Sequence, residues 1–126
     1  MKKIEIIVER TRTGYSAYAE KYSVYTTGKN LPDLKINMVE ALNLNFEDQS
    51  LVISEATLKV KVDLPQFFQF YKVINAKALS ERIGMNQSLL AQYIKGIKRP
   101  SPSQTKRILA GVQKVGRELS DIRFIL

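Results

Sequence analysis

The sequence predicts two parts in series: an α+β layer ordered β-β-β-α-β over residues 1–64, then an all-α helix-turn-helix segment over 65–126. Three observations carry this. Apolar and polar residues alternate along Lys3–Arg12 and again along ATLKVKVDL, the period of a half-buried strand. Helix start and stop signals crowd the chain after Pro65. Charge is also segregated. Residues 1–70 hold 9 basic and 9 acidic side chains, whereas residues 71–126 hold 11 and 3, so the whole net charge of +8 lies in the second part.

Taken in order, Ile4, Ile6 and Val8 point one way from the first strand, with Glu5, Ile7 and Glu9 on the other side. Thr13-Gly14 supplies a turn, and Tyr15–Tyr22 alternates as a hairpin partner. A short strand, Val24–Thr27, ends at Gly28. Asn30 caps a helix with Pro32 in its first turn and Asp33 at its third position. Leu31, Leu34, Met38, Leu42 and Phe46 keep helical spacing and are expected to lie on the sheet. After the polar break EDQS, Leu58, Val60, Val62 and Leu64 alternate against Lys59, Lys61 and Asp63 as a fourth strand.

Pro65 opens a helix running to about Asn75, which caps the next, AKALSERI. Gly84 is expected to stop that helix in a left-handed conformation. Met85 plugs the turn, Ser80 sits small at the helix crossing, and Asn86 caps a helix with a spine of Leu89, Leu90, Tyr93 and Ile94. Gly96 ends it. Ser101, Pro102 and Gln104 form a further start signal, for an amphipathic helix over about Pro102–Leu119. The stretch RELSDIRFIL then carries Ile122, Phe124, Ile125 and Leu126, expected to pack within their own domain or across a dimer.

Composition excludes several chemistries. Without cysteine there is no disulfide, zinc–thiolate site or thiol nucleophile. Without histidine the commonest general base and transition-metal ligand are missing. Glu5, Glu9, Glu20, Asp33 and Glu40 are candidate Mg²⁺ ligands, but a solvated strand face accounts for Glu5 and Glu9 equally well. No metal, cofactor or catalytic residue is expected. The start MKKIEIIVER lacks the continuous apolar core of a signal peptide, and no apolar run reaches bilayer length, so a soluble cytoplasmic protein without membrane contact is expected.

The basic second part points to a polyanion, since clustered cations displace counterions from phosphate backbones. In a helix-turn-helix the second helix enters the major groove of double-stranded DNA with its N-terminal residues at base edges. Gln87, Ser88 and Gln92 are the expected base contacts. Asn86 caps, and Lys77, Lys95, Lys98 and Arg99 are expected at the DNA backbone. One such motif reads a half-site, so a homodimer on an inverted-repeat operator is expected.

The stretch AKALSERIGMNQSLLAQYIKGIKRPSPSQTKRIL resembles the Cro/CI-type, lambda-repressor-like helix-turn-helix of phage repressors, with Ser80 where alanine is more usual. Preceded by KKIEIIVERTRTGYSAYAE and TTGKNLPDLKINMVEAL, it makes the whole chain similar to HicB-family antitoxins. KYSVYTTG lacks the Pro-Gly-Cys loop common before the Thr-x-Gly turn of that family. The resemblance implies a partial, catalytically dead RNase H-like N-terminal fold that neutralises a small basic HicA-like mRNA-cleaving toxin, with the complex repressing its own operon. Glu20, Glu40, Glu47 and Asp48 would meet the toxin's basic side chains. Two other readings stay open: a free-standing regulator whose N-terminal domain senses a ligand or dimerises, and a nuclease with a DNA-targeting module.

Overall fold

Every second residue of Ile4, Ile6 and Val8 is buried, and this alternation makes β1 (Ile4–Arg10) the centre of a sheet. The computed structural model describes residues 3–49 and 52–126, so Met1, Lys2, Ser50, the end of the expected polar break, and Leu51 lie outside the described residues. The structure is α+β, a four-stranded mixed sheet followed by helices. It divides into two units, one ending at Phe70 and one spanning Tyr71–Leu126.

In the first unit β1 turns through Thr11–Gly14, closed by the Thr11 amide on the Gly14 carbonyl at 2.9 Å, into antiparallel β2 (Tyr15–Ala19). β2 stops at Ala19 rather than Tyr22. The Tyr22 amide bonds back to the Ala19 carbonyl, and the resulting turn delivers β3 (Tyr25–Gly28) antiparallel to β2. Gly28 is required by close approach. A Cβ there would lie 2.5 Å from the backbone nitrogen of Leu34, in α1 (Leu31–Asn45). Asn30 caps α1, its Oδ1 accepting from the Asp33 amide at 2.8 Å. After α1 the chain returns as β4 (Leu58–Val62), parallel to β1, giving the order β3-β2-β1-β4.

Leu34, Met38 and Leu42 from α1, with Phe46 at its C-terminal cap, meet Ile4, Ile6, Val8, Ala17, Ala19 and Leu58 in one core. Leu31 is 42% exposed and does not join it. The alternation of β4 is only partly cashed in burial: Leu58 is buried, but Val60 is 40% exposed because β4 is an edge strand. The opposite sheet face carries Glu5, which Lys61 holds at 3.0 Å and Lys59 at 3.8 Å.

Leu64 does not extend β4; it begins α2 (Leu64–Phe70), which ends well before Asn75. The Gln66 side chain works as a stand-in strand. Its Nε2 donates to the Arg10 carbonyl at 2.7 Å, and its Oε1 accepts from the Arg10 amide at 3.0 Å. The Arg10 guanidinium stacks over Tyr15 at 4.7 Å and Phe70 at 5.5 Å and donates to the Thr11 and Gly14 carbonyls. These bonds tie α2 to β1, and α2 belongs to the first unit, which ends at Phe70; the boundary expected from the sequence is 64/65. That division coincides with the change in charge.

The second unit contains α3 (Ala76–Ile83), α4 (Gln87–Ile94) and α5 (Pro102–Ser120), the last running into a 3₁₀ turn, Asp121–Phe124. Leu79, Ser80, Met85, Leu90, Tyr93 and Ile108 are buried. Among the described residues, no helix is long and apolar enough to cross a membrane.

Candidate nucleic-acid interface

The turn between α3 and α4 is fixed from both sides. Asn75 accepts from the Ala78 amide at 3.0 Å and starts α3. Gly84 ends it at φ 64° and ψ 34°, a conformation that a side chain would strain. Met85 is buried beneath the turn, its amide bonded to the Ser80 carbonyl at 2.9 Å. Ser80, 2% exposed at the crossing, satisfies its hydroxyl on the Lys77 carbonyl at 2.6 Å. A larger polar residue there would not have the space.

The sequence reading missed Arg107. From α5 its guanidinium donates to the Ile83 carbonyl through Nε (3.1 Å) and Nη2 (2.7 Å), and to the Gly84 carbonyl at 2.8 Å. It thereby satisfies carbonyls that the end of α3 leaves without intrahelical partners. The cation lies far along the chain from that helix end, so only the fold reveals it. An exposed pair, Arg82 with Glu118 at 2.7 Å, also links α3 to α5. The Arg82 guanidinium holds the Glu118 carboxyl below its usual range, and Glu118 in turn raises the guanidinium.

Asn86 caps α4, its Oδ1 accepting from the Leu89 amide at 3.1 Å. Gln87 and Ser88 follow in the first turn with exposed side chains. Ser88 and Lys95 lie two turns apart on the same side of α4, roughly 10 Å along its axis, and both are exposed. Gly96, at φ 76°, turns the chain out of α4. The Ile97 and Lys98 amides bond the Gln92 carbonyl at 2.9 and 3.3 Å, which sets Lys98 and Arg99 just past the helix, exposed. Lys77 is exposed in the first turn of α3. One rim thus carries small polar groups on a capped helix start with cations at its far end.

Gln92 departs from this arrangement. It is half-buried, and its Oε1 is buried with no hydrogen-bond partner. The oxygen expected at a base edge is therefore turned inward in the free protein. Its distance from Gln87 in sequence suggested a shared surface, but the folding of the 97–98 segment over the C-terminal end of α4 is not visible in that spacing.

The four carboxylates expected to meet a protein partner lie on three segments, and Tyr22, two residues after Glu20, packs edge-on against Phe46, the residue before Glu47, at 4.8 Å. Glu40 is exposed on α1, with Glu47 and Asp48 in the 3₁₀ turn just after it. Glu20 follows β2, its amide bonded to the Glu5 carbonyl at 3.2 Å. Of the candidate metal ligands Glu5 and Glu20 are neighbours, but among the described residues no three His, Cys, Asp or Glu side chains are grouped to hold a metal. Lys61 holds the Glu5 carboxyl below its usual range. Glu9 is raised, first by burial and then by the neighbouring Asp63. A 670 Å³ open pocket lies between the β1–β2 turn, Gly28 and α1, lined by Thr11, Thr13, Thr27, Lys29, Asp33 and Asn37 among others.

Comparison with known proteins returns no match to a family model, a curated protein or a solved structure.

Proposed function

We propose that this chain is a DNA-binding, antitoxin-type transcriptional repressor that binds an inverted-repeat operator as a dimer and neutralises a small, basic, HicA-like mRNA-cleaving toxin. The observation that carries the DNA reading is the capped start of α4, which presents Gln87 and Ser88 to solvent in a unit whose net charge is +8. In this reading α3 and α4 are a lambda-repressor-like helix-turn-helix. Gln87 pairs with adenine N6 and N7, Ser88 meets a neighbouring base edge, and Lys77, Lys95, Lys98 and Arg99 hold phosphates. Exposed N–H groups at the helix start favour a further phosphate. The β-β-β-α-β order of the first unit supports a HicB-like, partial RNase H-like domain acting as the toxin-binding module.

Two experiments test the two halves. Gln87→Ala is expected to lose discrimination at one operator position by about 1–3 kcal/mol, whereas Lys98→Ala weakens every sequence and lowers the salt slope by about one. Unchanged operator preference in Gln87→Ala sinks the base-contact role. For the toxin half, co-expression with the adjacent short reading frame is expected to restore growth and yield a stable complex. A harmless neighbour that never co-purifies removes that half.

A second reading, a regulator gated by a small ligand, is favoured by the threonine-lined pocket beside α1. It is distinguished by an operator affinity that changes when a polar ligand is added.

A further inference from the structure

Three residues, Gly84, Met85 and Asn86, join α3 to α4, and the direction in which α4 leaves depends on how firmly they are held. Met85 is anchored by burial, and Asn86 by the Leu89 amide its side chain accepts from. Gly84 is the loose link. Without a Cβ its backbone has many conformations open to it, of which the left-handed one seen here is only one.

The peptide unit between Gly84 and Met85 is nevertheless held at both ends. Its N–H, on Met85, donates to the Ser80 carbonyl at 2.9 Å. Its carbonyl, on Gly84, accepts from Nη2 of Arg107 at 2.8 Å. The first bond belongs to the end of α3, but the second comes from α5, 23 residues further along the chain. The same guanidinium holds the Ile83 carbonyl through Nε and Nη2. One planar fork thus spans two successive carbonyls, so turning the Gly84 peptide breaks a charge-assisted bond. Arg107 is itself exposed and adds little to packing. Its bonds constrain one peptide, and that peptide leads straight into the helix that presents Gln87 and Ser88.

Resting on the DNA reading above, we infer that Arg107 is a positioning residue for sequence discrimination. It holds the turn rather than the DNA, and it orders the start of α4 before Gln87 and Ser88 meet a base. The two-bond contact of an amide with adenine tolerates little angular error. Phosphate contacts from the long side chains of Lys77, Lys95 and Lys98 tolerate much more. Loss of Arg107 therefore falls on the choice of sequence and spares the general attraction to DNA.

Arg107→Ala and Arg107→Lys in the full chain test this. The wild type first selects its operator from a random duplex pool. Urea unfolding fixes conditions in which each variant is fully folded, and binding is then measured on the operator and on a scrambled duplex. Arg107→Ala is expected to lose about tenfold on the operator, the cost of ordering roughly one backbone residue at the moment of binding. Its affinity for the scrambled duplex and its salt slope should not change, and Arg107→Lys, a single point donor, should recover only part of the loss. An equal loss on both duplexes with a salt slope lower by about one makes Arg107 a phosphate contact and overturns the proposal. Unchanged operator affinity overturns it too. Amide hydrogen exchange without DNA supplies an independent arm: Met85 and Leu89 should exchange faster in Arg107→Ala while amides in the middle of α5 keep their rates. Unaltered exchange at those two amides sinks the positioning role whatever the DNA result. A pool from which the wild type selects nothing fails the DNA reading instead, and the ordering of the turn then stands or falls by exchange.

Discussion

Gln92→Met separates two roles for one side chain. The Oε1 of Gln92 is buried and no protein group donates to it. A buried unsatisfied acceptor costs about 1–3 kcal/mol, and a methionine of similar length removes it at little packing cost. The reachable gain is therefore about 1 kcal/mol or somewhat more. In a unit of this size each kcal/mol moves the melting temperature by roughly 4–8 °C, so the variant should melt several degrees higher. Thermal denaturation followed by circular dichroism reads this directly, and a lower melting temperature refutes the reasoning. Operator affinity measured on the same sample decides the second role. If Gln92 turns outward to a base, the more stable variant binds more weakly; if it is only a buried spine residue, affinity is unchanged.

Three further outcomes are expected. Gly28→Ala should destabilise the first unit by about 1–3 kcal/mol in urea unfolding, because its Cβ meets the backbone nitrogen and Cα of Leu34, at 2.5 and 2.7 Å, which cannot swing aside. Arg107→Ala should cost about 1 kcal/mol in the second unit, read by urea unfolding, by stripping partners from the carbonyls that end α3. Glu9→Gln concerns pH. Burial and Asp63 raise the Glu9 carboxyl, so the folded state binds that proton more tightly and ionisation costs stability. Variant and wild type should therefore be equally stable below the carboxylate range. The variant should gain as pH rises through it, and a gap that shrinks instead contradicts the assignment.

Local chemistry was the legible part of the sequence. Asn30, Asn75, Asn86 and Ser101 each cap the helix expected of them, because the cap and the amide it accepts from lie three residues apart. Gly84 was legible for the same reason, and β1 because alternation is intrinsic to a strand with one buried face. What escaped was set by distant partners. The parallel placement of β4 beside β1 makes Val60 an edge residue, which its alternation could not show. Gln66 reads as an ordinary helix-surface amide until the fold brings it to the backbone of Arg10. Within the candidate interface Gln87 and Ser88 were legible from the helix start, while the inward turn of Gln92 and the reach of Arg107 depend on where other segments pack.

The parallel pairing of β1 with β4 also bears on how the protein is made. β1 leaves the ribosome before β2 and β4; its partner β2 follows through a short turn, but the partner of its other edge waits until nearly all of the first unit has been synthesised. Contacts this distant in sequence form slowly, because the loop must close before the pairing contributes any stability. Throughout that interval the outer edge of β1 offers unpaired N–H and C=O groups beside Ile4, Ile6 and Val8, a template for any other nascent strand. The strand that finally covers it carries Lys59 and Lys61, so the finished edge is charged where the unfinished one was bare. The hazard of self-aggregation is therefore greatest in the growing chain, and it falls when β4 docks and replaces the bare edge of β1 with its own lysine-bearing edge.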